Sequence, residues 1–218
     1  DPAAPAPASL DALAAGYAAR AAAAVPDGPI HLAGWSVGGI VAHAMAVRLR
    51  AMGRRVGVLA MLDSYPSDAW RAEPEPNAGA ALRALLAIAG HDPDRTPEFP
   101  PGQPMDRAAV VRFLRREGSA LGRLPEAALD GVARTVEHNN RLVRAHRHGF
   151  FDGAATHFRA ARDHAGRALS PAMWGPYCAR VDVVDVPALH AQMVGPTAVA
   201  VVARHLAEAV DAAEENGA

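Results

Sequence analysis

The sequence predicts an α/β domain in which a mainly parallel sheet is flanked by helices and interrupted by a helical insertion. Three observations carry this. Short apolar runs bounded by turn residues alternate with helical periodicity at both ends of the chain. One of them, Val56 to Leu62, is nearly continuous in apolar character, as expected of a parallel strand covered on both faces. The middle of the chain, residues 67–148, shows helix patterns and no strand pattern.

Leu10 to Val25 is Ala-rich, with Ser9 as N-cap and Pro26-Asp27-Gly28 as a stop, which predicts a helix. Pro29 to Ala33 reads as a short buried strand ending at Gly34. Val37 to Met52 carries apolar residues at helical spacing, and Gly53 stands where a left-handed residue ends a helix. Val56 to Leu62 is a second strand. Pro- and Asp-rich breaks at Glu73–Asn77 and His91–Pro104 then separate helices expected over 79–90, 106–117 and 125–147. Such an insertion between two strands is expected to act as a mobile lid, with Leu82, Leu85, Leu86 and Leu121 either lining an acyl channel or packing between the lid helices. Ala154 to Ala160 and Val181 to Val186 are the remaining strands, and the Pro/Gly-rich connection between them carries Trp174 and Tyr177. Thr197 to Glu214 closes the pattern as an amphipathic helix, and no internal repeat is found.

Composition narrows the class. The chain has 218 residues, half of them apolar, with 22 basic against 23 acidic side chains and a formal net charge of −1, so nucleic acid is not an expected partner. Every basic residue other than His is Arg, and about a quarter of the chain is Ala, a bias that reports genome composition more than function. No stretch approaches the roughly 20 apolar residues that span a bilayer. Cys178 is alone, which excludes an internal disulfide and fits a reducing compartment, so a cytoplasmic location is expected. The start at Asp1-Pro2 has neither an initiator Met nor a signal pattern, and the chain is expected to be an excerpt of something longer.

The sharpest chemical signal is Gly34-Trp35-Ser36-Val37-Gly38, followed by Gly39. Six Ser and 19 Gly make a chance match to G-x-S-x-G unlikely in a chain of this length, at roughly 0.05 expected matches, and here the motif joins a strand to a helix. That context predicts a strained turn presenting Ser36 as a nucleophile, with the Val37 N–H at the helix N-terminus placed to stabilise an oxyanion.

A serine hydroxyl needs a base to take its proton and an acid to orient that base. His190 follows the last strand within four residues, on the same sheet edge as Ser36. With four strands in sequential order the outer two lie about 14 Å apart, and Pro187 to His190 can span most of that. The other histidines have plainer readings: His31 and His157 lie in strands, His43 is on a helix face, and His146 and His148 are expected in a basic lid helix. No metal site is expected, since His146-x-His148 lacks partners at ligand spacing. For the acid, Asp63 stands at the end of the second strand, next to that of Ser36. Asp163, after the third strand, is the rival; with Arg159, Arg162 and His164 around it, it reads instead as a solvated ion pair. The order Ser, Asp, His is that of α/β-hydrolases.

These motifs together, Gly34-Trp35-Ser36-Val37-Gly38-Gly39, Leu62-Asp63-Ser64-Tyr65-Pro66, Phe158-Arg159-Ala160 with Trp174, and His190-Ala191-Gln192-Met193 before Pro196, resemble the thioesterase domains of non-ribosomal peptide synthetases from about residue 10 to 212. The resemblance implies an α/β-hydrolase-type fold with a helical lid, and an acyl-enzyme mechanism. A peptidyl or acyl chain would pass to Ser36 from the phosphopantetheine arm of a carrier domain, and water or an internal amine or hydroxyl would release it. The arm belongs to the partner, so no resident cofactor is implied. The family carries further strands before the serine turn, with the loop that gives a second oxyanion N–H. These N-terminal strands are expected to be absent from this chain. A free-standing serine esterase or lipase-like hydrolase, and a non-catalytic remnant that docks a carrier, are the competing expectations.

Overall fold

The computed structural model describes residues 6–71, 78–100, 102–164 and 169–215. Its centre is a four-stranded, all-parallel sheet in the order β1-β2-β3-β4, made of β1 (Ile30–Trp35), β2 (Val56–Leu62), β3 (Phe151–Ala160) and β4 (Cys178–Val186). The strands therefore lie in sequential order, the condition under which the sequence lets His190 reach Ser36. Register follows strand alternation. Leu59 and Met61 of β2 enter one core with Ile40, Leu49 and Trp174, while Val58, Ala60 and Leu62 enter a second core with Phe158, Met193 and Val202. Because both faces are covered, by α1 (Leu10–Ala24) and α2 (Val37–Ala51) on one side and α7 (Pro196–Glu215) on the other, the strand has to be apolar at every position.

Local signals explain most boundaries. The Ser9 side chain accepts the Ala12 N–H at the start of α1. Gly53 ends α2 at φ 73°, with Arg54 N donating back to Leu49 O. The last two strands begin three residues earlier than their apolar pattern. In β3, Asp152 and Gly153 interrupt the pattern, where the pairing with β4 shifts register. In β4, Arg180, Asp182 and Asp185 are exposed because this strand is an edge of the sheet.

Between β2 and β3 lie α3 (Asp68–Arg71), α4 (Ala78–Ile88), α5 (Arg107–Arg116) and α6 (Glu126–Ala145). The break at Glu73–Asn77 lies outside the described residues. One expectation for this segment is corrected and one alternative is decided. Leu82, Leu85 and Leu86 pack between the helices rather than line a channel. With Phe99, Val110, Phe113 and Leu114 they form the segment's own core, against which Leu121 packs. The i, i+3, i+4 stripe of large side chains on α4 turns to the other helices, so its alanine face is left to border open space. His146 and His148 are not helical, because α6 stops at Ala145.

Those two histidines instead enter a buried cluster with His43 of α2, Trp174 and Tyr177. Its hydrogen bonds fix the tautomers. Ser67 N donates to His148 Nε2 at 2.9 Å, so His148 Nδ1 carries the proton given to His43 Nδ1 at 3.3 Å, and His43 Nε2 donates to Tyr177 O at 3.0 Å. Both rings are neutral, as burial demands: it pushes the His43 pKa down to about 4 and that of His148 to about 3. Arg71 adds a hydrogen bond to His146 O at 2.9 Å, which ties the outgoing and returning chains of the helical segment together.

Candidate active site

Three strand ends converge on one edge of the sheet. Ser36 sits between β1 and α2 at φ 54° and ψ −124°, a backbone that L-residues rarely adopt. The turn closes because Gly34 lacks a side chain: a Cβ there would lie 2.1 Å from Gly38 O. Gly39 is required for a different reason, since its Cβ would meet the Ser64 side chain at 2.5 Å. Gly38, by contrast, has open space where a Cβ would stand, so the second glycine of the motif is not required by crowding at that point.

Asp63 directly follows β2, also at positive φ (45°), and its carboxylate is buried. His190 Nδ1 donates to Asp63 Oδ2 at 2.7 Å, which leaves Nε2 as the acceptor facing Ser36 Oγ at 3.1 Å. Asp63 Oδ1 accepts from Tyr65 OH at 3.0 Å and from Ala160 N at 3.1 Å. Burial alone would raise the Asp63 pKa. The hydrogen bonds from His164 and His190 outweigh it and hold the carboxyl well below the usual carboxylate range. Burial, with the Asp63 charge beside it, raises the Tyr65 phenol, which stays a donor.

The structure thus brings together Ser36, Asp63 and His190, with Val37 as the first residue of α2. Its N–H, at the first position of the helix, has no acceptor within it, and the residue lines the same cavity as Ser36. Asp163 differs from expectation. Of the partners expected for it, Arg159 is engaged by Asp185 through two bonds of 2.7 Å, while His164 Nδ1 lies 3.9 Å from Asp163 Oδ1. The Asp163 carboxylate instead accepts the backbone N–H of His190 at 2.9 Å and of His164 at 2.7 Å, buttressing the loop that carries His190. Trp35 Nε1 donates to His190 O at 3.1 Å from the other side.

Sequence reasoning missed three contributors. Trp35 is the variable residue of the serine motif, Tyr65 lies two residues after Asp63, and His164 places Nε2 at 2.6 Å from Asp63 Oδ2. The adjacency of His164 to Asp163 after β3 was the available signal. Asp63, His164 and His190 are also the residues with which a metal ion could be held among those described. Their contacts of 2.6 and 2.7 Å are hydrogen-bond distances, shorter than the roughly 3.3 Å that ligands about 2.0–2.1 Å from one zinc ion would keep between them.

Two cavities meet at Ser36. One, of about 530 Å³, runs under α4 and α6 between Trp35, Val37, Ala84, Ala87, Ile88 and Val136, with Asn139 and Asn140 bordering it. The other, of about 150 Å³, lies against Tyr65, Trp70, Asp163 and His164. A nucleophile with its base, a helix N-terminus beside it and an apolar space for an acyl chain are the parts of an acyl-transfer site.

The comparisons with known proteins agree with this chemistry. A dimodular nonribosomal peptide synthase of Bacillus subtilis (strain 168) is 34% identical over 203 residues, covering 92% of this chain and 8% of that protein. Among solved structures, the four-domain nonribosomal peptide synthetase AB3403 superposes with a TM-score of 0.75 at 19% identity, over 94% of this chain and 16% of that one. The NocB thioesterase domain, in covalent complex with a fluorophosphonate nocardicin G analog, superposes with a TM-score of 0.60 at 24% identity, over 93% and 75%. No helix among the described residues is long and apolar enough to cross a membrane. The Thioesterase domain family profile matches residues 2–209, so this chain, an α/β-hydrolase in fold, belongs to the thioesterase domain family.

Proposed function

We propose that this chain releases a peptidyl or acyl product from the phosphopantetheine arm of a carrier domain, through an ester on Ser36. The observation that carries the reading is the relay from Asp63 Oδ2 through the His190 ring to Ser36 Oγ, with both hydrogen bonds in the direction that general-base catalysis needs. Its similarity to nonribosomal peptide synthases supports the carrier-bound substrate. As His190 Nε2 takes the hydroxyl proton, Ser36 Oγ bonds to the thioester carbon. The Val37 N–H and the positive end of α2 stabilise the oxyanion. Collapse breaks the C–S bond, and the imidazolium returns its proton to the departing pantetheine thiolate. Water, or an amine or hydroxyl of the bound chain, then gives its proton to His190 and attacks the ester carbon; the C–Oγ bond breaks, His190 returns the proton to Ser36 Oγ, and the product leaves as an acid or as a ring. The apolar cavity under α4 and α6 holds the chain. Turnover of a carrier-loaded thioester by Ser36→Ala and His190→Ala variants tests this: both should lose activity with melting temperatures close to that of the parent, and unchanged turnover in the serine variant would overturn it.

A further inference from the structure

Among the described residues, three that are not glycine have positive φ: Ser36, Asp63 and His164, the last at 63°. Such backbone persists only where the surroundings hold it, and it gathers at functional sites. Two of the three belong to the relay above. The third has no part in it, yet its ring reaches the relay's carboxylate.

The contact is specific to one atom. His164 Nε2 lies 2.6 Å from Asp63 Oδ2, and His190 Nδ1 lies 2.7 Å from the same oxygen. An ionised carboxylate is acceptor-only, so both rings donate. The Asp63 side chain is fully buried and its other oxygen is occupied by Tyr65 and Ala160, so the carboxylate has four donors and cannot turn away from either imidazole. The His164 side chain is itself mostly covered. Among the described residues, the titratable and charged groups near it are Asp63 and Tyr65 after β2, Asp163 on its own loop, His190 after β4 with ring centroids 6.0 Å apart, and Asp92 and Asp94 lining the same small cavity.

We propose that His164 is a positioning residue for the Asp63–His190 pair: it pins Oδ2 toward His190 and, by sharing that oxygen, sets how strongly Asp63 retains a proton on His190. The inference rests on the serine relay proposed above. Physically, a second donor on Oδ2 draws off part of the charge that would otherwise stabilise the His190 imidazolium. Removing the donor should therefore move the acid side of the pH–rate profile upward.

The test is the pH dependence of kcat/KM, which reports groups of the free enzyme, measured on the intact protein with a small activated acyl thioester. His164→Phe keeps a ring and removes the donor, while His164→Gln retains an N–H that can reach Oδ2. The acid limb should rise by about one pH unit in His164→Phe, corresponding to loss of one hydrogen bond to a charged group, and should stay within about 0.3 unit of the parent in His164→Gln. His164→Met serves as the donor-free variant should the Phe side chain prevent folding. A limb that does not move, or moves down, in a folded donor-free variant overturns the proposal, and so does a uniform loss of rate at all pH values, which is what a purely structural role would give. Ser36→Ala is assayed in parallel. Activity persisting in that variant overturns the relay itself, whereas its loss together with an unmoved limb overturns only the role of His164.

Discussion

Replacing Asp63 by Asn tests the relay at its most constrained point. The shape is conserved, but four donors face this side chain: His190 and His164 on Oδ2, Tyr65 and Ala160 on Oδ1. An amide has one oxygen. If its NH2 takes the Oδ2 position, it confronts two imidazole N–H groups, and His190 can relieve the clash only by carrying its proton on Nε2, where it can no longer accept from Ser36. If the amide turns over, the NH2 faces the buried Ala160 N–H, which cannot rearrange, and leaving that donor unpaired costs about 1–3 kcal/mol. In both orientations the negative charge that stabilises the imidazolium is gone. The expected loss in kcat is therefore about 10³–10⁴, by analogy with the same change in serine proteases. Asp163→Asn is the control. Its carboxylate accepts two backbone N–H groups, one amide oxygen can still serve one of them, and losing about 1 kcal/mol of loop support corresponds to less than about tenfold. The assay is steady-state release at saturating thioester, with both variants shown to be folded by circular dichroism. Asp63→Asn within tenfold of the parent, or Asp163→Asn falling further than it, would refute the assignment of the acid.

Other expectations follow from the same geometry. Gly34→Ala forces a Cβ to 2.1 Å from Gly38 O and should destabilise the fold by about 3 kcal/mol or more in denaturant titration, whereas Gly38→Ala, with open space at its Cβ, should cost far less. Ala87 borders both cavities, so Ala87→Trp should raise KM for a carrier-bound thioester by about tenfold with the melting temperature little changed. His43 and His148 are neutral when folded, with pKa values pushed down to about 4 and about 3. The unfolded chain therefore binds more protons below about pH 6.5, and stability should fall with decreasing pH from there to about 4, by up to about 1.4 kcal/mol per pH unit for each ring. His148→Gln should flatten that slope in urea titrations at stepped pH. The helices between β2 and β3 should exchange amide hydrogens faster than β1–β4, and equal protection would count against a lid.

The parts of this molecule that were legible in its sequence are those whose chemistry is local. A strand, a glycine-bounded serine and a helix in succession predict the strained turn at Ser36, and Asp63 and His190 were readable because Asp63 directly follows one strand and His190 lies four residues after another, on the same edge. Contacts between distant segments were not. The path of Asp163 to two backbone N–H groups, and of His164 to Asp63, depends on the local turn after β3, where His164 takes positive φ, and periodicity carries no information about such a turn. The lid leucines could be read as a channel lining or as packing between helices, because an amphipathic stripe says that a face is buried without saying against what. His146 and His148 were placed in a helix because basic residues near a helix end suit a solvated face. Their burial with His43 and Trp174 needs the return of the chain to α2, which is a long-range event.

The central claim is a covalent intermediate on one oxygen. Mass measurement of the intact protein after rapid mixing with an acyl-pantetheine thioester, followed by peptide mapping, reads it directly. The account predicts an adduct of the acyl mass, confined to the peptide carrying Ser36, absent in Ser36→Ala, and accumulating when the second nucleophile is a poor one. Release of thiol at the parent rate without an acyl adduct at any time, or an adduct that persists in Ser36→Ala, would contradict it.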